Sequence, residues 1–281
     1  MTPAAKDVLI LYSRHELKRN QFFVKQLRGA LRGSGVKTKV LSTETIKNYS
    51  NKGLASTCSD VALILMRSRD TSLATALSQL QIKVLNDPWL LKLATDKYST
   101  YIFAKEMSIA TPPTKVLTPE QLKDLPFDYP YVVKDRFGHG GDSVFLVSDP
   151  ISAQRYIPCA TSNNLVVQPF VHDVVAEWRA YVVGDEIFAW VKKVPRPGEF
   201  RANYACGSSI SISAPPDEVH SVAKRIKSVL GSGLYGIDII ETRNSCILGE
   251  IEDPVGFRAL YILGKDPTTA IANFVQRYAK S

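Results

Sequence analysis

Four cysteines, Cys58, Cys159, Cys206 and Cys246, are all that this chain of 281 residues carries, and no two of them form a CxxC pair. The four histidines, His15, His139, His172 and His220, are as widely scattered. Structural zinc sites need ligands at short, regular spacings, so this pattern argues against a zinc site, and against a disulfide framework too. Reduced thiols are the plain reading. No apolar run approaches the ~18 residues of a membrane span. The opening MTPAAKDVLILYSRHE places Asp7 inside its short apolar stretch and lacks a basic n-region and a small-residue cleavage site. It reads as the approach to a first strand and not as a signal peptide. A cytoplasmic location without a membrane partner is therefore expected. Also missing are a G-x-G-x-x-G after the first strand, the GK[ST] of a Walker A loop, a basic tail and any aromatic-interleaved nucleic-acid motif.

What is present is ordinary in bulk: 45% hydrophobic and 22% charged residues, enough chain for two or three small domains. The net charge of +8 suits an anionic partner, either a nucleotide or a small acidic substrate, or else a solvated basic surface. The first ninety residues alternate strand and helix: Val8–Tyr12, a helix over Lys18–Leu31, then Val36–Leu41, Val61–Met66 and Lys83–Leu85. That order means a mostly parallel α/β sheet. Pro88 and Trp89 are expected to break the pattern. Lys97–Met107 reads as a helix ended by Ala110-Thr111-Pro112-Pro113, and Thr118-Pro119-Glu120-Gln121 as a helix start with a capping box. Tyr131–Lys134, a glycine-rich segment and Val144–Val147 form a hairpin pattern. The last third is richer in strands: Leu165–Gln168, Glu177–Val183, Ile187–Lys193, Gly236–Glu241 and Ile247–Glu252. One amphipathic helix carries Val219, Ala223, Ile226 and Leu230 before Gly231, and Thr268–Tyr278 closes the chain as another.

Chemistry can be read at several points. If the final strand pair centres on Asn244, Asp238 lies opposite Glu250, with Glu252 on the same face. Three converging carboxylates either hold a cation, magnesium being the natural one, or leave one or more of their number facing solvent. The loop Phe137-Gly138-His139-Gly140-Gly141-Asp142-Ser143 either brings backbone N–H groups to phosphate oxygens or is a plain hairpin tip. Lys134 ends an apolar strand, where a lysine is costly unless it meets an anion. Lys97 opens a helix, whose dipole disfavours a cation and welcomes an anionic ligand. Each lysine also has an ordinary surface position as its reading.

The order of these features is what distinguishes the chain. The stretches KVLNDPWLLKLATDKYSTYIFAKEMSIATPPT, YPYVVKDRFGHGGDSVFLV, LVVQPFV, EWRAYVVGDEIFAWVKKVPRPGEFRAN and YGIDIIETRNSCILGEIEDPVGF, spanning roughly residues 83–265, together resemble the ATP-grasp superfamily and within it the RimK-like carboxylate–amine ligases. The resemblance implies an α/β (α+β) ATP-grasp fold: an N-terminal α/β domain over 1–88, a central lid domain over 89–166 and a C-terminal antiparallel-sheet domain over 167–281. It implies that Lys97 and Lys134 hold the ATP phosphates and that the loop with Gly138, His139, Gly140, Gly141 and Ser143 is the lid. Gln168, Pro169, Phe170 and Val171 become the hinge beside adenine, with Glu177 facing the ribose. Arg201 and Asn203 match an FRxN motif whose arginine steadies the transferring phosphate. Arg179 and Gly256 fall among the substrate-binding positions, and Asp238, Glu250 and Glu252 match the ligands of magnesium, or of manganese in its place.

Departures from the family pattern are specific. Glu250-Ile251-Glu252 stands where Glu-Val-Asn is usual, Ser143 replaces a frequent lid glycine, and Tyr204-Ala205-Cys206-Gly207 follows FRxN where paired glycines are common. Pro254-Val255-Gly256 reverses the usual order of a proline and a glycine. The activity implied is ATP-dependent amide formation through an acyl phosphate, between a small carboxylate, such as an amino acid or acidic metabolite, and an amine. A homo-oligomer and no nucleic acid are the expected partners. Two alternatives stand beside this: a ligase acting on a protein-bound carboxylate, and a nucleotide-binding regulatory module on the same fold.

Overall fold

The computed structural model describes residues 7–49, 51–123, 127–140, 143–156, 163–196 and 209–280. Gly141, Arg201 and Asn203, three of the expected site residues, lie outside them.

The chain begins with β1 (Asp7–Tyr12), an apolar run that burial on both faces demands in a parallel sheet. Helices α1 (Arg14–Arg19) and α2 (Gln21–Gly33) follow, then β2 (Thr38–Ser42), α3 (Thr43–Lys47), α4 (Asn51–Thr57), β3 (Val61–Met66), α5 (Thr71–Gln79) and β4 (Val84–Leu85). The four strands form one parallel sheet in the order β2-β1-β3-β4. The expected single helix over Lys18–Leu31 is two helices, because Asn20 closes α1 on the Glu16 carbonyl and α2 starts afresh.

Pro88 and Trp89 do not break the pattern; they open α6 (Pro88–Thr95). Asp87 caps that helix through the Trp89 N–H, and proline suits a first helical position because no N–H is needed there. Next come α7 (Lys97–Glu106), β5 (Lys115–Leu117), a 3-10 turn at Glu120–Lys123, β6 (Tyr131–Asp135), β7 (Val144–Val147), α8 (Pro150–Tyr156) and β8 (Leu165–Pro169). The expected capping box is present in half: the Gln121 side chain accepts from the Thr118 N–H. Strands β5 to β8 form a second, antiparallel sheet in the order β5-β8-β6-β7.

The third sheet holds β9 (Val174–Gly184), β10 (Glu186–Val194), β11 (Ser209–Ile212), β12 (Gly233–Thr242) and β13 (Cys246–Glu252) in the order β11-β10-β9-β12-β13. Helix α9 (Asp217–Leu230) packs its stripe of Val219, Ala223, Ile226 and Leu230 on one face of it, beside α6 and α7. After α10 (Arg258–Ile262), α11 (Thr268–Lys280) packs with α2 between the first and third sheets, so one core joins them. The inward side of β9 therefore changes character along its length. Tyr181 and Val183 belong to that core, whereas Glu177 and Arg179, in phase with them, face a cleft. No described helix is long and apolar enough to cross a membrane.

Candidate active site

The cleft lies between the β6–β7 hairpin of the second sheet and the charged end of the third. Strand alternation builds its floor. Register pairs Arg179 with Asp238, Asp238 with Glu250, Gly236 with Glu252 and Glu177 with Lys193, so all of these side chains share one face. The opposite face carries Trp178, Ile237, Ile239, Leu248 and Ile251, which pack under the helices. The turn of the β12–β13 hairpin is the two-residue Arg243-Asn244, closed by Thr242 and Ser245. A regular ladder from that turn would put Gly249 opposite Asp238. A bulge at Gly249 intervenes, and Glu250 takes the place the sequence expectation gave it.

The carboxylates on this face are interleaved with cations. Arg179 donates from Nε and Nη2 to both oxygens of Asp238, at 2.6 and 2.5 Å, and its Nη1 reaches Glu252. All three guanidinium nitrogens thus face carboxylates of the same sheet, while Arg179 also lines the cleft. Lys193 bonds Glu177 and lies 3.4 Å from Asp238. Lys97 pairs with Glu250 at 3.0 Å. Burial alone would raise the Asp238 carboxyl, yet Arg179 and Lys193 outweigh it and hold it well below the usual carboxylate range. Burial wins at Glu252 and Glu177, which are pushed up despite Arg179 and Lys193 respectively. Among the described residues no three His, Cys, Asp or Glu side chains form a ready-made coordination cluster; the acids share a wall of the cleft with cations set between them.

The roof is built on β6. Lys134 donates to Gln168 Oε1 at 2.9 Å, and Gln168 Nε2 donates to Thr114 Oγ1 at 2.8 Å, a chain that aims the ammonium from three elements. Burial pulls the Lys134 ammonium down from its ordinary value, opposed by Glu250. Beyond it Asp135 bonds the Phe137 N–H, and Lys97 donates to the Gly138 carbonyl, so the helix-opening lysine holds the base of the glycine loop. A Cβ on Gly138 would meet that of Asp135 at 2.9 Å, which only glycine avoids. His139 is pushed below its usual value by burial first and then by Arg69, with Glu16 opposing. Gly140, Ser143, Pro169, Phe170 and Val171 line the same cleft. The Phe170 N–H donates to Pro130, so it already has a partner. Gly256 stands apart from the cleft lining: its carbonyl accepts from Tyr181, and the neighbouring Val255 carbonyl accepts at 2.5 Å from Arg67, which follows β3.

One ion pair fixes the roof to the floor. Asp96 caps α7 through Tyr98 N–H and takes Arg136, at the end of β6, on both oxygens at 2.7 and 2.6 Å. Burial alone would raise the Asp96 carboxyl; Arg136 outweighs it and leaves it lowered. Asp96→Ala should therefore cost about 3 kcal/mol in denaturant unfolding, from a lost cap and an arginine left half-buried without its partner. A lowered folded pKa means that this stabilisation is present above the unfolded value of 3.8 and is lost as pH falls through the folded one. The gap between wild type and variant should then narrow below about pH 4.

Sequence reading did not find Lys193 and Thr114. The signal for Lys193 was there, since it continues the inward phase of Ala189 and Val191, where a lysine requires an acid. Nothing local marks Thr114.

The RimK-like ATP-grasp domain family matches residues 93–274. The protein called "Uncharacterized protein MG011" of Mycoplasma genitalium is 29% identical over 264 residues, 93% of this chain and 88% of that protein. A "Probable alpha-L-glutamate ligase" of Vibrio parahaemolyticus is 29% identical over 155 residues, 54% of this chain and 52% of that one. In fold, a RimK domain ATP-grasp protein from Sphaerobacter thermophilus matches with a TM-score of 0.74 at 20% identity, covering 95% of this chain and 98% of the other. The D-alanine–D-alanine ligase of Bacillus anthracis, crystallised with ATP, matches with a TM-score of 0.73 at 14% identity, covering 98% of each. Family, fold and the cleft between two sheets agree: the chain belongs to the RimK-like ATP-grasp family of ATP-dependent carboxylate–amine ligases.

Proposed function

We propose that the protein joins an amino acid or small acidic metabolite to an amine through an acyl phosphate, with ATP held in the cleft described above. The observation that carries this reading is the convergence of Lys97, Lys134 and the glycine loop on one wall, opposite Asp238, Glu250 and Glu252 on the other. The lysines and loop N–H groups suit phosphate oxygens. The acids offer only oxygen donors, which fit a hard divalent cation. Charge balance supports the same assignment. Among the described residues, Glu177, Asp238, Glu250 and Glu252 are matched by Lys97, Lys134, Arg179 and Lys193, and Asp135 lines the cleft as well, so an entering triphosphate brings negative charge that these side chains do not offset. Glu250, Glu252 and Asp238 would hold magnesium, whose charge would offset that of the phosphates.

The steps then follow. An oxygen of the substrate carboxylate attacks the γ-phosphorus, the bond to the bridging oxygen breaks, and ADP leaves. Lys134 and Lys97 hold the phosphate oxygens while charge shifts, and Arg201 of the FRxN motif is assigned to the transferring phosphate. An amine nitrogen next attacks the acyl carbon, phosphate departs with the C–O electron pair, and the nitrogen loses a proton. No protein nucleophile is required. The lid loop keeps water from the acyl phosphate. Gln168 to Val171 form the adenine wall, and Glu177 takes the ribose once it leaves Lys193.

ADP and phosphate release is expected with ATP, magnesium and a pool of amino acids, small carboxylates and amines. Mass spectrometry should find a product lighter than one donor–acceptor pair by one water. Tight ATP binding with no release from any pool would overturn the small-molecule reading.

A further inference from the structure

A second cavity, of about 990 Å³, runs along the outer edge of the first sheet between α2 and β2. Lys25, Arg28, Arg32 and Lys37 line it, all four exposed, over an apolar floor that includes Val24 and Val40. No carboxylate is among its lining residues. Lys25, Arg28 and Arg32 follow each other at steps of three and four along α2, so they share one face at a rise of about 4.5 and 6 Å. Strand β2 is an outermost strand of its sheet, pairing with β1 alone, and Lys37, Thr38 and Val40, just before it and within it, line the groove. A strand edge offers main-chain donors and acceptors to an extended chain.

We infer that this groove binds an acidic peptide segment in extended conformation. Alternate residues of such a segment recur every 6 to 7 Å or so, near the rise of about 6 Å from Arg28 to Arg32. Acids at every second position would meet the basic wall while the main chain pairs with β2. The chemistry favours peptide over single-stranded nucleic acid, which gains much of its affinity from bases stacked on aromatic rings. No aromatic side chain lines the groove.

The groove is also oriented. β1 and β2 run parallel, with Tyr12 beside Ser42, and α2 returns from the top of β1 to the bottom of β2. Lys37 therefore marks the far end. Leu17 and Gln21 mark the end nearest the start of α2.

The test uses the full chain without nucleotide and a fluorescein-labelled octapeptide of alternating glutamate and threonine, followed by anisotropy. Micromolar binding that weakens with salt is expected. Arg28→Glu with Arg32→Glu should lose at least tenfold. Lys105→Glu with Lys224→Glu, an equal charge change at exposed positions of α7 and α9, should stay within twofold. Equal losses in the two double variants, absence of binding at millimolar peptide, or tighter binding of a labelled thymidine 12-mer would each overturn the proposal. Because ADP release is not read here, failure of the groove is separable from failure of the ligase reading.

Discussion

Glu250→Ala is expected to lose at least about 100-fold in turnover while nucleotide affinity stays within about threefold. The asymmetry comes from its partner. Lys97 is tied to Glu250 at 3.0 Å as well as to the Gly138 carbonyl, and its side chain is only 13% exposed. Removing the acid frees that ammonium for a phosphate, and this compensates binding. The same removal deletes an oxygen donor from the wall that would hold the metal, and charge stabilisation in the phosphoryl-transfer step goes with it. Lys134→Ala is the contrasting case. It deletes a phosphate contact and leaves Gln168 Oε1 without its donor, so affinity should fall by about tenfold or more. Isothermal titration and ADP release on the same preparations separate the two. Unchanged turnover in the Glu250 variant would remove the metal assignment.

Arg179→Ala should cost about 3 to 5 kcal/mol in the metal-free protein, the usual penalty for leaving buried charge without its partner. Two carboxylates lose their clamp at once, Asp238 on both oxygens and Glu252 on one. Its pH dependence has a definite sign. With the guanidinium gone, burial pushes Glu252 further up and is opposed at Asp238 by Lys193 alone, and a carboxyl whose folded pKa is raised loses stability as pH climbs past its unfolded value. The deficit should thus be widest near pH 8 and shrink toward pH 5. Millimolar magnesium should recover part of it, since a cation between Asp238 and Glu252 substitutes for the lost charge. Urea unfolding across that pH range, with and without magnesium, reads both effects. A variant as stable as wild type at pH 8 would mean that the clamp carries no energy.

The parts of the fold with strong periodicity were legible. Val61–Met66 and the stripe of α9 stand where alternation and helical spacing put them, because a buried face leaves one workable phase. Pro88 was misread because proline stops a helix from within yet starts one from its first position, and only Asp87 before it tells the two apart. Asn20 was missed because the apolar spacing of α2 runs back through it without interruption. Of the site, the acids and both lysines stand on the cleft as the sequence suggested. What local pattern could not convey is pairing: that Arg179 and Lys193 are spent on those same acids depends on β9, β10 and β12 lying side by side, a fact of topology. Thr114 and Gln168 meet across 54 residues of chain for the same reason.

The bulge at Gly249 makes this strand tolerant of an edit that strands seldom survive. Deleting one residue from a ladder turns everything beyond it to the wrong side. Here Leu248 and Ile251, both on the face under the helices, are three apart, so the frame has already slipped once and been restored by the extra glycine. Excising Gly249 would join Leu248 directly to Glu250, leaving an unbroken alternation that counts out from the same turn. Asp238 would still meet Glu250, and Gly236 would still meet Glu252. Excising Leu248 in its place would leave Gly249 opposite Ile239, a vacancy in the apolar layer where the side chain had been. The hairpin therefore has a removable spacer beside its most heavily charged positions, and what that spacer adjusts is the aim of the acids.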